Sequence, residues 1–495
     1  MSYSAQARIG AKASQLAGSI LGKNSLYQTK GYTALTPTFQ DDTLEILSAN
    51  GVTTPALGST VQFNLPKNST LIGKCYVEIT LSAGSATSDG ATGEPAAITF
   101  NPDLAYNAAT NFPVAEYNKN VGDVIVDNHT LIYGNTNLQN WDGRYSAAWR
   151  RVTRNDVNIE ATNAQVLGGL SPGGDPNTGS ERVLVDAYYR GVTLQCPLDE
   201  LFFAHNRDEM WMPEAYALEG QLNHRLAELG QIVSTITRDG SQIAANQRPT
   251  ITDIRLKYVE VTVSAAEKDK LLKLYRTPEG KVQHWYDLEF QKRMLVQGTG
   301  VRAPASALAA QPVQRVVLQL NNLRMDMAEL VFSVNRVANR SPAADFPAEN
   351  GVLTEGGFGG SVLEGDTTPS ILFASSTVPG QGFSTLIDVS SLNVTAAGKS
   401  LYSSAHTGFW NRTHVRKTYH LDSQIVGAIY VVPFAQFPED RKNATGHMSA
   451  SVLGALQLEL EFPNPGNTID YEVTLYSKSH NLMQSRAGAV GKALN

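Results

Sequence analysis

Few of the residues that could do chemistry stand at spacings that chemistry would use. The nine histidines are scattered, and the closest pair is His414 and His420. No standard ligand pair has that spacing, and no Cys or acid cluster completes a tetrahedral set, so no metal and no cofactor is expected. Gly398-Lys399-Ser400 has the ending of a phosphate loop. Asn393 stands where that motif needs its first glycine, and no strong strand leads into it. Gly356-Gly357-Phe358-Gly359-Gly360 lacks the lysine and the strand–helix setting of a phosphate cradle and reads as a loop tip. There is no Gly-x-Ser-x-Gly elbow. Acid pairs such as Glu439-Asp440 read as solvated. Asn68, Asn128, Asn393, Asn411 and Asn443 head sequons. In a chain rich in Asn, Ser and Thr these arise by chance and predict little without a secretory signal. No catalytic constellation is therefore expected, although folding could still bring a carboxylate pair together.

The elements that remain are strands. Ile254, Leu256 and Tyr258 alternate with Arg255 and Lys257, then the phase slips, and Val259, Val261 and Val263 carry it on. A slip of one residue is what a β-bulge produces. Ser264-Ala-Ala-Glu267 has capping-box spacing, and Leu271, Leu272, Leu274 and Tyr275 give the following helix an apolar side. Pro278 and Gly280 end it, and Val282 to Phe290 alternate again. This stretch reads as a rigid connection between two β domains, because it lacks a Gly/Ser or Pro run.

On either side lie runs of the same kind. Val61 to Leu65 and Leu71 to Leu81 read as strands, as do Val121 to Gly134 and Val183 to Phe203 with a break at Pro197. Trp141 to Asn155 has Tyr145, Trp149 and Val152 at helical spacing. Glu214 to Arg238 has no single period. In the second half Val316 to Leu320, Leu330 to Val334, Ile425 to Phe437, Leu456 to Phe462 and Tyr471 to Leu475 read as strands. Two long Gly/Ser/Pro-rich stretches, Gly84–Asn120 and Ala338–Gly382, interrupt the halves at matching places, after what reads as each half's second strand.

Three landmarks recur in order. Gly191 to Pro197 matches Gly427 to Pro433 in spacing, Tyr258 to Ser264 resembles Tyr471 to Ser477, and Val61 to Ile79 loosely resembles Val317 to Val334. Together they imply a duplicated all-β unit. Many short strands with long excursions fit two tandem eight-stranded jelly rolls, with short helices and long loop insertions, better than a meander. The expected division is an arm over 1–44, a first jelly roll over 45–264, a connecting helix and turn over 265–280, a second jelly roll over 281–480 and a small polar tail over 481–495.

Composition sets outer bounds. A net charge of −6 argues against binding nucleic acid with the whole surface. Cys75 and Cys196 are the only cysteines, so no disulfide framework is available and a reducing compartment is the simplest reading. No apolar run reaches membrane-spanning length, and no secretory apolar core stands at the N-terminus. The first residues carry Arg8, Lys12, Lys23 and Lys30 and no acid before Asp41. They read either as a mobile terminus or as a basic arm that orders against a neighbour or an anionic membrane.

In order, the segments resemble the major capsid protein of the nucleocytoplasmic large DNA viruses, of the double jelly-roll lineage. The resemblance rests on LYQTKGYTALTPTFQ at 26–40, LIYGNTNLQNWDGRY at 131–145, and the stretch holding Pro197, Phe202, Phe203, Arg207, Asp208, Pro213 and Leu218. It also rests on Tyr258 to Leu272, on RVVLQLNNLRMDMAELVFSVNR at 315–336, and on IYVVPFAQFPEDRKNATGHMSAS at 429–451. Two patterns depart from the family: Met325-Asp326-Met327-Ala328 stands where a His-Pro is usual, and Thr36-Pro-Thr-Phe39 stands for an opening His-Thr-Asn-Phe. The resemblance implies a structural protein without catalytic residues, built as homotrimers with a pseudo-hexagonal outline that tile an icosahedral shell. It implies as partners neighbouring capsomers, minor capsid and penton proteins and an internal membrane, with no direct nucleic-acid contact. It implies assembly in the host cytoplasm and a place in the outer shell of the virion. Other readings are a carbohydrate-binding β-sandwich of a surface, an enzyme on a β scaffold, or a minor capsid protein of the same lineage.

Overall fold

The computed structural model describes residues 44–48, 55–65, 67, 71–85, 115–117, 121–146, 149, 187–203, 211–235, 248–261, 265–276, 281–296, 313–320, 323, 326–336, 377–378, 381–382, 389–404, 429–436, 438, 445–449, 456–463 and 471–492. In the first half the main strands are β1 (Leu44–Ser48), β2 (Thr60–Asn64), β3 (Leu71–Leu81), β4 (Val126–Tyr133), β5 (Thr136–Trp141), β6 (Val192–Pro197), β7 (Gly220–Leu226) and β8 (Ile251–Val261). They form two 4-stranded sheets, ordered β1-β8-β3-β6 and β2-β7-β4-β5, with every neighbouring pair antiparallel.

The second half repeats this. Its strands are β9 (Lys281–Val296), β10 (Val313–Gln319), β11 (Asp326–Arg336), β12 (Ser391–Ala396), β13 (Lys399–Ser404), β14 (Ile429–Pro433), β15 (Leu456–Pro463) and β16 (Tyr471–Arg486). The sheets run β9-β16-β11-β14 and β10-β15-β12-β13. Counted within each half, both units are therefore ordered 1-8-3-6 and 2-7-4-5, the paired Greek keys of a jelly roll. The chain is all-β in its main elements, two jelly rolls in tandem.

The three sequence landmarks fall on equivalent strands: β6 and β14, β8 and β16, and the pairs β2–β3 and β10–β11. Within the strand-eight pair the register differs, because Tyr258 lies near the end of β8 and Tyr471 begins β16. The expected bulge in β8 is present as a register shift between Tyr258 and Glu260. Strict alternation explains the barrel walls. Leu456, Leu458, Leu460 and Phe462 are fully buried, while the residues between them are part-buried. Each such side chain contributes roughly 1.5–3 kcal/mol on burial.

Several boundaries differ from the sequence reading. The first strand is Leu44–Ser48, ahead of Val61, so the two long stretches follow the third strand of each barrel. Val121–Val124 is a helical turn that precedes β4, and 187–190 are helical before β6. β7 emerges from the stretch without a clear period. Residues 481–492, read as part of a polar tail, are the end of β16 and a return strand, Ala489–Lys492, paired with it. Ala487 and Gly488 both take positive φ there, 49° and 80°, as a tight two-residue hairpin turn requires. The same device, Ala397 and Gly398 at φ 48° and 77°, joins β12 to β13. Gly398-Lys399-Ser400 is thus a hairpin turn entering a strand.

The connecting helix spans Ala265–Arg276. Leu271 and Tyr275 are buried, and Tyr275 meets the Trp211 and Tyr216 rings edge-on at 6.2 and 6.0 Å. Lys268 pairs with Glu214 at 2.5 Å. Ser264 and the side chain of Glu267, the two ends of the capping box, and most of the two long stretches lie outside the described residues.

Candidate functional site: the seam between the barrels

The best-defined cluster of buried polar groups lies at the face the two barrels share. It is built where β5 ends. Trp141 closes that strand, and Asp142 caps the short helix that follows by accepting a hydrogen bond from the Tyr145 backbone N–H at 2.7 Å. The Tyr476 hydroxyl on β16 donates to the same carboxylate, 2.8 Å from Oδ1 and 3.0 Å from Oδ2. The Tyr145 ring stands edge-on to Tyr476 at 5.2 Å and stacks on Trp149. Trp149 in turn covers Lys478, whose Nζ lies 3.5 Å from the ring centroid.

Lys478 is 2% exposed and donates to Glu329 Oε1 of β11 at 2.9 Å; Glu329 is 0% exposed. Isolated, either charge would be costly at this depth; each is held by the other, and the indole face adds a cation–π contact. Further along, the Tyr216 hydroxyl and Ser485 Oγ lie 2.6 Å apart, and the Ala217 N–H donates to the Gly488 carbonyl at 3.0 Å. Lys492 donates to Asp287 Oδ2 at 2.6 Å, and Asn481 Nδ2 does so at 3.2 Å. Burial still holds the Asp287 carboxyl above its ordinary value, with Lys492 acting in the opposite direction. β5 lies against β9 and the return strand.

These residues were not found as a site in the sequence. Asp142, Tyr145 and Trp149 sit in a stretch legible as helical, but a buried Lys–Glu pair reads in one dimension like any exposed charge. Other sequence candidates are dispersed. Arg8, Lys12, Lys23 and Lys30, the pair His414 and His420, and sequon residues Asn68, Asn411 and Asn443 lie outside the described residues. Asn128 and Asn393 lie on the fourth strand of their respective barrels. Asn128 donates to Asn140 and accepts from Thr130; Asn393 donates to Glu459 and accepts from Ser400. Cys75 and Cys196 are buried free thiols, and burial pushes the Cys75 thiol far up. Among the described residues no three His, Cys, Asp or Glu are grouped to hold a metal.

A buried pair of imidazoles was also missed. His129 on β4 and His224 on β7 face each other, Nδ1 to Nδ1, at 2.9 Å, and His129 stacks on Trp141 at 4.9 Å. Burial lowers His224 from 6.5 to about 3.

Two jelly rolls of one strand order, fixed face to edge by a polar seam, define a double jelly-roll protein. No protein-family model and no curated protein matches the chain. Among solved structures it is similar to VP54 of PBCV-1, at 13% identity over 91% of this chain and 96% of that one, with a TM-score of 0.58. It is similar to a chain of the PBCV-1 virus capsid, at 14% identity, 91% and 96% coverage and a TM-score of 0.57. It is also similar to the Faustovirus major capsid protein, at 11% identity, 89% and 90% coverage and a TM-score of 0.56. The fold shared with these capsid proteins is the one the sequence resemblance implies.

Proposed function

We propose that this chain is a major capsid protein, a structural subunit of an icosahedral virion shell. The observation that carries this is the duplicated barrel locked by a buried seam. Such a chain is a rigid block with two like units, and closed symmetry around a shared axis turns it into a tile. Three copies would present six barrels and a pseudo-hexagonal outline. The fold shared with capsid proteins supports the same reading.

The division we propose is a jelly roll over 45–264, a connection over 265–280 and a jelly roll over 281–480, with the second barrel's sheet extended by the hairpin through 492. The outer shell of a virion assembled in the host cytoplasm is the proposed location, with neighbouring capsomers, minor capsid and penton proteins and an internal membrane as partners. For the arm we propose contact with an anionic inner layer through Arg8, Lys12, Lys23 and Lys30, worth about 1 kcal/mol per charge near such a surface. Deleting residues 1–25 should spare the oligomer and weaken its binding to anionic vesicles. Unchanged vesicle binding would end that part of the proposal.

Light scattering on the purified chain tests the main reading. A mass three times the 53.5 kDa chain, stable to dilution into the micromolar range, is expected. A folded monomer under those conditions would overturn it.

A further inference from the structure

The hairpin that ends the second barrel brings an amine, a carboxyl and a carboxamide together. Along β16 residues two apart share a face, so Asn481 and Met483 point the same way. Lys492 of the return strand stands opposite Met483, and Asp287 of β9 stands opposite Ser479. Residues opposite one another on neighbouring strands also share a face, so Asp287, Asn481 and Lys492 lie on one side of the sheet. The turn at Ala487 and Gly488 sets the register that puts Lys492 there.

Asp287 Oδ2 accepts from Lys492 Nζ at 2.6 Å and from Asn481 Nδ2 at 3.2 Å, so both nitrogens stand on one oxygen. Asn481 is 0% exposed and Asp287 2%. The Asn481 carbonyl oxygen accepts the Leu482 N–H at 2.7 Å, and that donor fixes which end of the amide is oxygen. The Lys492 side chain is 21% exposed, so the group opens to water on one side. An ion pair alone needs no carboxamide on its carboxylate. With one, the group holds the parts of an acyl transfer. They are an amine nucleophile, a carboxyl able to carry protons, an acyl carbon and an N–H where negative charge would develop. Folding keeps them as neighbours, which removes the entropic cost of bringing them together. Burial holds the Asp287 carboxyl above its ordinary value, which eases its taking a proton from Lys492.

We propose that Lys492 and Asn481 join through an isopeptide bond, with Asp287 as the proton carrier. Asp287 takes a proton from the lysine ammonium, and the freed amine attacks Asn481 Cγ. The negative charge that forms on Oδ1 meets the Leu482 N–H. Asp287 passes its proton to Nδ2 and the Cγ–Nδ2 bond breaks. The second proton lost by Nζ follows the same route. The products are a secondary amide and ammonium, Asp287 returns to its starting state, and nothing is oxidised or reduced. The bond staples the return strand to β16. Gly488 in the same hairpin accepts the Ala217 N–H of the first barrel, so the staple also fixes a contact across the seam. It is independent of the capsid reading.

Mass spectrometry of the denatured full chain tests this. The wild type should be lighter than its sequence by one ammonia. A tryptic digest should contain a branched peptide that joins residues 479–486 to residues 487–495 through Asn481 and Lys492. Lys492→Arg and Asp287→Asn, each with native near-ultraviolet circular dichroism, should keep their full masses and yield no branched peptide. A wild type of full mass would overturn the proposal. So would the loss of one water, which would mean a Lys492–Asp287 bond, or the loss of ammonia without the branched peptide. A branched peptide in Asp287→Asn would overturn the part given to Asp287. None of these results bears on whether the chain assembles as a capsid subunit.

Discussion

Tyr476 donates its hydroxyl to both oxygens of Asp142, 334 positions away in the chain, and so ties β16 of the second barrel to the end of β5 in the first. Both groups are buried. Tyr476→Phe keeps the ring against Tyr145 and leaves the carboxylate one donor short. A loss of about 1–3 kcal/mol is expected, since a buried acceptor pays for desolvation without return. Urea denaturation of the full chain checks this. An unchanged midpoint would mean that the bond contributes nothing beyond what water supplies.

Lys478 and Glu329 make a sharper case because both are charged and both are inaccessible. Lys478→Met alone strands Glu329 and should cost about 3–5 kcal/mol. Adding Glu329→Leu removes the stranded charge and should recover most of that loss. Denaturation of the two variants side by side decides it, and a double variant no better than the single one would refute the account. Trp149→Leu should cost less than Lys478→Met, because it removes the indole face and spares the ion pair.

Much of the fold was legible because barrel walls obey a two-residue period. Leu456 to Phe462 shows it without interruption, and the phase slip at Tyr258 marks a real register shift. β7 was illegible for a physical reason. His224 holds one of its inward positions between Leu222 and Leu226, so the apolar count drops where burial does not. The β12–β13 hairpin was hidden by weak alternation in Lys399–Ser404, a strand whose residues are largely exposed. The seam was hidden more deeply. Its members are polar, come from both halves and become a site only when 142 meets 476.

His224 should make the first barrel sensitive to acid. Its imidazole is fully buried beside His129 and Phe63, and burial lowers it from 6.5 to about 3. A group depressed on folding contributes stability that is complete above its unfolded value and is lost as pH falls toward the folded one. Stability should thus decline between about pH 6.5 and pH 3, by up to about 4 kcal/mol at 1.36 kcal/mol per unit. His224→Phe should flatten that decline, whatever its effect at neutral pH. Urea midpoints at a series of pH values test it, and an equal slope in both proteins would dismiss His224 as the cause.

Gly143 controls where the seam's carboxylate sits. A Cβ on it would stand 2.2 Å from the Asp123 carbonyl oxygen and 2.3 Å from that of Val126, both backbone atoms in the entry to β4. Neither can swing aside as a side chain could. Gly143→Ala must push the segment from Asp142 to Ser146 off β4, at a cost of at least about 1–3 kcal/mol. Asp142 and Tyr145 move with it, so the Tyr476 bond should already be weakened in this variant. Tyr476→Phe should then cost less in the Gly143→Ala background than alone, a coupling on the order of 0.5–3 kcal/mol. A double-mutant cycle by urea denaturation measures that difference. Strict additivity would show that Gly143 acts on the first barrel alone and leaves the seam untouched.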